Sequence, residues 1–332
     1  MECGGRHGTA RVHHTSGSAA VWPLVARAQQ PAMPLVGYLS FTSPDERPTL
    51  LKAFLQGLEQ AGYLIGRNVA IEYRSAEGQV ERLPILAAEL AKLPAGVIAA
   101  TGGPLVALAA KGATSQIPIV FTMSADPVRL GLVEALNRPG GNVTGVALMS
   151  YELDAKRLQM LKELVPKTTT VGVLLAAKNT AAQQSLAEMR AAADVNGQRL
   201  VVLNADSEAE IDSAFASLES QHIEAVLVTT NPFYEGRRQQ LVALAQRYAV
   251  PVLYPWREYS IAGGLISYGP NFTESYHQAG FYVGRILHQE KPADLPVVQA
   301  TKFELVINRK TAKTVGIEVP TALLLLADEV IE

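Results

Sequence analysis

The chain repeats one local grammar: a short run of Val, Ile and Leu, a polar or glycine loop, then apolar residues at helical spacing. The apolar runs begin near residues 35, 69, 97 and 118, and again near 171, 200, 225 and 250. Short runs that are apolar throughout suit strands buried on both faces, and their alternation with amphipathic helices calls for parallel sheets covered by helices. Between the two sets lies Gly140-Gly-Asn-Val-Thr-Gly-Val-Ala-Leu-Met-Ser-Tyr151, which has two glycines, an apolar run and then a polar helix start at Asp154. This segment is expected to carry the chain out of one α/β body and into another.

Two later stretches share its character. Gly263 to Asn271 reads as a second crossing and Phe303 to Ile307 as a third, with the helix Glu274–Leu287 packing back on the first body. The expected fold is therefore α/β, with two Rossmann-like lobes of parallel sheet joined by three hinge crossings. Lobe 1 comprises 31–147 plus 269–299, and lobe 2 comprises 148–268 plus 300–332. The halves do not align residue by residue, so the repeat is architectural.

At 332 residues the chain has room for two such bodies, and 48% hydrophobic with 18% charged residues suits a well-cored protein. A net charge of −2 with interspersed signs leaves no footprint for nucleic acid or an anionic membrane. Cys3 is the single cysteine, and His222, His277 and His288 lie far apart beyond the three early histidines. No metal site, thiol nucleophile or cofactor is expected from these. Residues 1–30 read as a degenerate secretory leader: a short apolar segment, then Ala26-Arg27-Ala28 before Gln29, an Ala-x-Ala cleavage pattern. A disordered tail is the alternative.

In parallel sheets, ligands sit beyond the carboxyl ends of the strands. The residues placed there are Ser40, Phe41, Thr42 and Ser43; Thr101, Gly102 and Gly103; Ser124 and Asp126; then Asn179, Asn231, Tyr254, Trp256 and Tyr268. Gly102-Gly103-Pro104 is either a tight turn or an anion cradle, since helix N-termini offer free N–H groups. Asp126, before Pro127, either caps a helix or accepts a bond from a ligand. Phe41, Phe233, Tyr234, Tyr254, Trp256 and Tyr268 gather aromatic rings at the expected cleft edges, where they form either core or a stacking wall.

Asp126-Pro127, Pro139 to Gly145, Gly263 to Pro270, Lys302 to Asn308 and Ala327 to Ile331 together resemble the ABC transporter substrate-binding family with the type I periplasmic binding fold. The resemblance covers about 33–332. It implies a solute receptor, some members of the family taking tryptophan or other amino acids, with a backbone N–H at Gly102-Gly103 receiving a carboxylate. It further implies a membrane permease as partner, a periplasmic location and a monomer. The chain departs from the family pattern in lacking an N-terminal Arg-Arg pair and in carrying Leu326 where arginine is expected.

The reading is therefore a non-enzymatic receptor that closes on an amino acid or a small aromatic or carboxylic acid. A Rossmann-type enzyme using a nucleotide would need a glycine fingerprint or a Ser/His/acid constellation, and a regulator's effector domain would need a basic segment ahead of Leu35. Neither is visible in the sequence.

Overall fold

The computed structural model describes Met1, residues 33–177 and residues 180–332. The leader expectation and the candidate Asn179 lie outside the described residues. The chain opens with β1 (Leu35–Ser40), α1 (Pro48–Gln60), β2 (Ala70–Ser75), α2 (Leu83–Ala91), β3 (Ala95–Thr101), α3 (Pro104–Ala113), β4 (Ile119–Met123) and β5 (Val143–Ala147). It continues with α4 (Asp154–Leu164), β6 (Thr170–Leu175), α5 (Thr180–Val195), β7 (Arg199–Asn204), α6 (Glu208–Ala216), β8 (Ala225–Val228), α7 (Pro232–Gly236), α8 (Arg238–Arg247) and β9 (Val252–Tyr254). Then come α9 (Arg257–Ile261), β10 (Ile266–Pro270), α10 (Phe272–Leu287), β11 (Val298–Gln299), β12 (Phe303–Asn308), α11 (Arg309–Thr314), α12 (Thr321–Leu326) and β13 (Glu329–Ile331).

The strands form two sheets, ordered β11-β5-β4-β3-β1-β2 and β13-β12-β10-β9-β8-β6-β7. Every described pairing is parallel except β10 with β12. The apolar runs supply the core of each sheet: Val97 to Ala100 in β3, for example, are fully buried.

The three stretches read as crossings are themselves sheet strands. β5 lies inside the first sheet, while β10 and β12 lie inside the second. The chain changes sheet in the short joints beside them: at 148–150 before α4, at Asn271 between β10 and α10, and at 300–302 between β11 and β12. An apolar run bounded by glycine has the same composition in a sheet strand as in a linking ribbon, so composition alone did not separate these strands from the joints beside them.

The helix α10 returns to the first sheet and packs along α1. The two helices meet backbone to backbone. A methyl group on Gly57 would fall 1.8 Å from the His277 carbonyl oxygen, and one on Gly280 would fall 1.9 Å from that of Phe54. Only glycine allows this approach. Among the described residues no helix is long and apolar enough to cross a membrane, and no cluster of His, Cys, Asp and Glu could hold a metal ion.

Candidate functional site

Each sheet order reverses direction once, one strand in from an edge, at β1/β3 in the first and β6/β8 in the second. A doubly wound sheet leaves a crevice at that switch point, because the flanking connections depart to opposite faces. The loops after β1, β3 and β4 face those after β6, β7 and β8, and they enclose one branched cleft.

Gly102 stands at the branch point, lining three of its arms. One arm, about 100 Å³, runs between Phe41, Val80, Pro104, Leu105, Val106, Ala176, Pro232 and Phe233, and meets the carboxylates of Glu81 and Asp206. A second, about 20 Å³, lies among Thr122, Ser124, Thr230, Asn231, Glu235, Trp256 and Phe272. The third is lined by Tyr38, Ser40, Phe41, Thr42, Ser43, Arg47, Thr101 and Tyr276. The lobes touch in this structure. A methyl group on Gly103 would reach 3.3 Å from the Pro232 ring, Arg47 Nη2 donates to the Pro232 carbonyl, and Arg237 stands 3.9 Å from Glu46.

The second arm has a positive and a negative pole. Its positive pole is the start of α3. Gly102 and Gly103 adopt φ of +97° and +120°, a region costly to residues with a Cβ, and Gly103 offers no side chain to cap the helix. No side chain caps the first-turn N–H groups, Pro104 offers none and the Gly103 N–H donates to the Thr122 carbonyl at 3.3 Å, while the helix dipole adds partial positive charge there. Thr122 Oγ1, buried beside it, has no hydrogen-bond partner among the described residues.

Its negative pole is Glu235, in α7, whose N-cap Asn231 accepts from the Phe233 N–H at 2.7 Å. Burial pushes the Glu235 carboxyl up, while Arg238, bonded to its Oε1, and Arg47 hold it down. On α9, burial and the Glu235 charge push Glu258 up to about 7.

The structure brings Ser40, Phe41, Thr42, Ser43, Thr101, Gly102, Gly103, Ser124, Asn231 and Trp256 to the arms of this cleft. Three others lie elsewhere. Asp126 Oδ1 accepts the N–H groups of Val128 and Arg129 at 2.8 and 3.3 Å, so it caps the turn that follows and lines a separate hollow beside Tyr151. Tyr254 is fully buried and stacked on Tyr259, centroids 4.7 Å apart. Tyr268 sits on β10 with its ring 6.2 Å from Phe303.

Of the other expected rim aromatics, Phe233 lines the first arm, whereas Tyr234 is buried with its hydroxyl donating to the Ala205 carbonyl at 2.8 Å. Trp256 is 1% exposed and stacks on Phe272 at 4.5 Å, so it forms the floor of the second arm.

Sequence reasoning missed Arg47, Glu235, Phe272 and Tyr276. The Asn231-Pro232 helix start does signal that an acid at position 235 falls in the first turn of a helix. Arg47 carries no comparable signal, because its partner lies on the other lobe.

Beneath the cleft the joints are bound by one fully buried guanidinium. Arg157 donates from Nε to the Tyr268 carbonyl, from Nη1 to the Ser150 carbonyl and Asp154, and from Nη2 to Ser150 Oγ, each at 2.7 Å, with the Pro255 carbonyl 3.4 Å from Nη2. Asp154 is completed by Ser185 Oγ at 3.2 Å, and Ser150 Oγ meets Thr230 Oγ1 at 3.0 Å.

A family profile described as ABC transporter substrate binding protein matches residues 36–331. The tyrosine-binding protein of Clostridioides difficile (strain R20291) is 27% identical over 276 residues, 82% of this chain and 79% of that protein. A conserved domain protein from Vibrio cholerae superposes with a TM-score of 0.81 at 26% identity, covering 90% of this chain and 99% of that one. An ABC domain from Streptococcus pneumonia in complex with L-Trp gives 0.79 at 24% identity over 90% and 99% of the two chains. A ligand-free, open substrate binding protein from Clostridium difficile gives 0.62 at 25% identity over 87% and 96%. The lower score against the open form agrees with the lobe-to-lobe contacts seen here. The expected fold of two lobes joined by three crossings, as in type I periplasmic binding proteins, is the fold observed.

Proposed function

This chain belongs to the ABC transporter substrate binding protein family, and from that premise we propose that its cleft captures an amino acid, aromatic ones foremost, and hands it to a membrane permease. Proteins of this family are solute receptors, and they work outside the cytoplasm with a transporter as partner. The periplasm as the compartment, removal of a leader near Gln29, a monomeric state and the lack of any nucleic-acid partner complete the reading. On it the lobes are 31–147 with 269–299, and 148–268 with 300–332, the second boundary moving to Asn271 so that β10 stays whole in its sheet.

One observation carries the choice of ligand: the second arm presents a helix N-terminus and the Glu235 carboxylate to the same small space. Opposite poles lining one arm suit a zwitterion, with the α-carboxylate on the α3 N–H groups, Thr122 and Ser124, and the ammonium on Glu235. The first arm then takes the side chain between Phe41 and Phe233. The tyrosine-binding relative and the L-Trp complex support the same class.

Solute exchange requires the lobes to part. An arm of about 20 Å³ holds little more than one water. Closure then follows only as far as the ligand prefers the closed state, and turning a 1:99 equilibrium into 99:1 takes about 5.5 kcal/mol of differential affinity. Charge-assisted bonds and burial of an aromatic ring are of that order.

The chain has two tryptophans, Trp22 and Trp256. In the full chain carrying Trp22→Phe, the Trp256 emission is expected to respond to L-tyrosine and L-phenylalanine but not to glucose or to aromatic acids lacking an amine. Silence toward every amino acid, with a thermal shift for NAD or ATP, would overturn the reading in favour of a nucleotide-using enzyme.

A further inference from the structure

The first arm has two ends. It meets the second arm at Gly102, Gly103, Asn231 and Pro232, and it meets an outer hollow of about 440 Å³ at Gly78, Asp206 and Phe233. A ligand whose charged head lies in the second arm therefore runs its side chain outward, between Phe41 and Phe233, to the end where Asp206 stands.

The walls between the two ends are apolar side chains and proline rings, interrupted by two carboxylates: Asp206 from the second lobe and Glu81, which is exposed, from the first. Among the described residues no lysine or arginine lines the arm. Arg237, the cation of the outer hollow, is engaged by Glu208 at 2.5 Å and has Glu46 at 3.9 Å.

Asp206 is held in place from its backbone. It follows Ala205, which is fully buried; the Ala205 N–H donates to the Leu175 carbonyl at 3.1 Å, and its carbonyl accepts from the Tyr234 hydroxyl. The Asp206 N–H donates to Glu210 Oε2 at 2.6 Å, and Asp206 Oδ2 accepts the Ala177 N–H at 3.2 Å. These bonds fix the carboxylate without bringing a counter-charge to it. Among the described residues its side chain takes no bond besides the one from Ala177.

We propose that Asp206 sets which side chain the cleft accepts: one with an apolar body and a hydrogen-bond donor at its tip, such as the phenol of tyrosine, in preference to a bare phenyl ring and against a tip that is itself an acid. The inference rests on the amino-acid reading above and names the residue that discriminates within that class.

An ionised carboxylate only accepts hydrogen bonds. A phenol O–H reaching Asp206 makes a charge-assisted bond, whereas a phenyl ring displaces water from the carboxylate and returns nothing. A carboxylate tip would set two like charges side by side. A sealed site built around such a bond rejects the ligand lacking it by several orders of magnitude. Here the arm opens onto the outer hollow, so water can stay with Asp206 beside a phenyl ring, and the preference is set by the bond alone, at about tenfold or somewhat more.

The test is calorimetric titration of the full chain at neutral pH with L-tyrosine, L-phenylalanine and 4-carboxy-L-phenylalanine. Wild type is expected to bind L-tyrosine about tenfold or more tighter than L-phenylalanine, with the carboxylated ligand weakest of the three. Asp206→Ala should bring the tyrosine-to-phenylalanine ratio close to one. Asp206→Asn, which keeps an acceptor without the charge, should give a ratio in between, and both should relieve the penalty on 4-carboxy-L-phenylalanine. Glu77 is an acid of the outer hollow already paired with Arg82 at 2.7 Å, so Glu77→Gln should keep the wild-type ratios and separate a bond at the tip from the general negative field of the mouth. Each ratio is read within one variant, so lost stability affects both ligands alike. Equal affinities for tyrosine and phenylalanine in wild type, a preference that survives in both Asp206 variants, or one lost in Glu77→Gln would each overturn the inference and leave the amino-acid reading standing. No heat with L-tyrosine, L-tryptophan or any other amino acid would instead defeat that reading, and the inference with it.

Discussion

Arg157 and Arg47 are both buried arginines bonded across segments distant in the chain, and they are built in opposite ways. Arg157 has every donor engaged, with an aspartate, a serine hydroxyl and three backbone carbonyls around it. Arg47 donates across the cleft to the Pro232 carbonyl from Nη2 and leaves Nε without a partner among the described residues. A charge with all its bonds made gains nothing by moving, whereas one with bonds unmade is held by whichever arrangement completes them. The first suits a fixed base under the cleft, the second a contact that forms and breaks.

Arg157→Ala attacks the fixed side and should have the largest effect. Leaving Asp154 buried without its counter-charge is expected to cost roughly 3–5 kcal/mol of stability in chemical denaturation. Replacing both partners by apolar residues of similar volume, Arg157→Met with Asp154→Leu, should recover most of that loss; failure to recover it would show that the carbonyl contacts matter more than the charge.

On the cleft side, Glu258 is raised on folding, so the folded protein holds a proton that the unfolded chain has lost. Its contribution is complete at pH values below the ordinary glutamate range and disappears as pH climbs through about 7. Wild type should therefore lose stability relative to Glu258→Gln across that window, by on the order of 3 kcal/mol at most. Parallel denaturation curves at several pH values check the sign.

Glu235→Gln, which removes a charge-assisted bond to the ligand, should weaken amino-acid binding by roughly 2 kcal/mol with little change in pH-independent stability. Arg47→Gln should cost about 1 kcal/mol in affinity, visible as faster ligand release, because it loosens only the closed form. Equal losses of stability from Arg47→Gln and Arg157→Ala would erase the distinction drawn between them.

Much of this architecture is written locally. The apolar runs that became β1, β3, β4, β6, β8 and β9 could be read because each is a largely contiguous buried stretch. Residues at strand ends, such as Ser40, Thr101 and Ser124, followed from the direction of a parallel sheet. What local pattern could not supply was the outcome of lobe meeting lobe. Arg47 looks like an ordinary residue before a proline until Pro232 arrives opposite it. Tyr254 and Tyr268 have the composition of a rim, yet strand alternation turns Tyr254 under its sheet and leaves Tyr268 on the far side of β10. Asp126 was torn between ligand and cap, and the backbone N–H groups two and three residues on took its Oδ1.

The seam between α1 and α10 has a mechanical consequence. The chain emerging from β10 enters α10 after one residue, and from His277 onward no side-chain thickness separates the two helix backbones to act as a cushion. Any swing of the halves cannot be shared out along α10 and falls on Asn271. A bulky replacement of Gly280, far from every solute atom, would therefore tilt the lever rather than blunt the grip, and would surface in a cell as poor uptake by a receptor whose pocket residues are all intact.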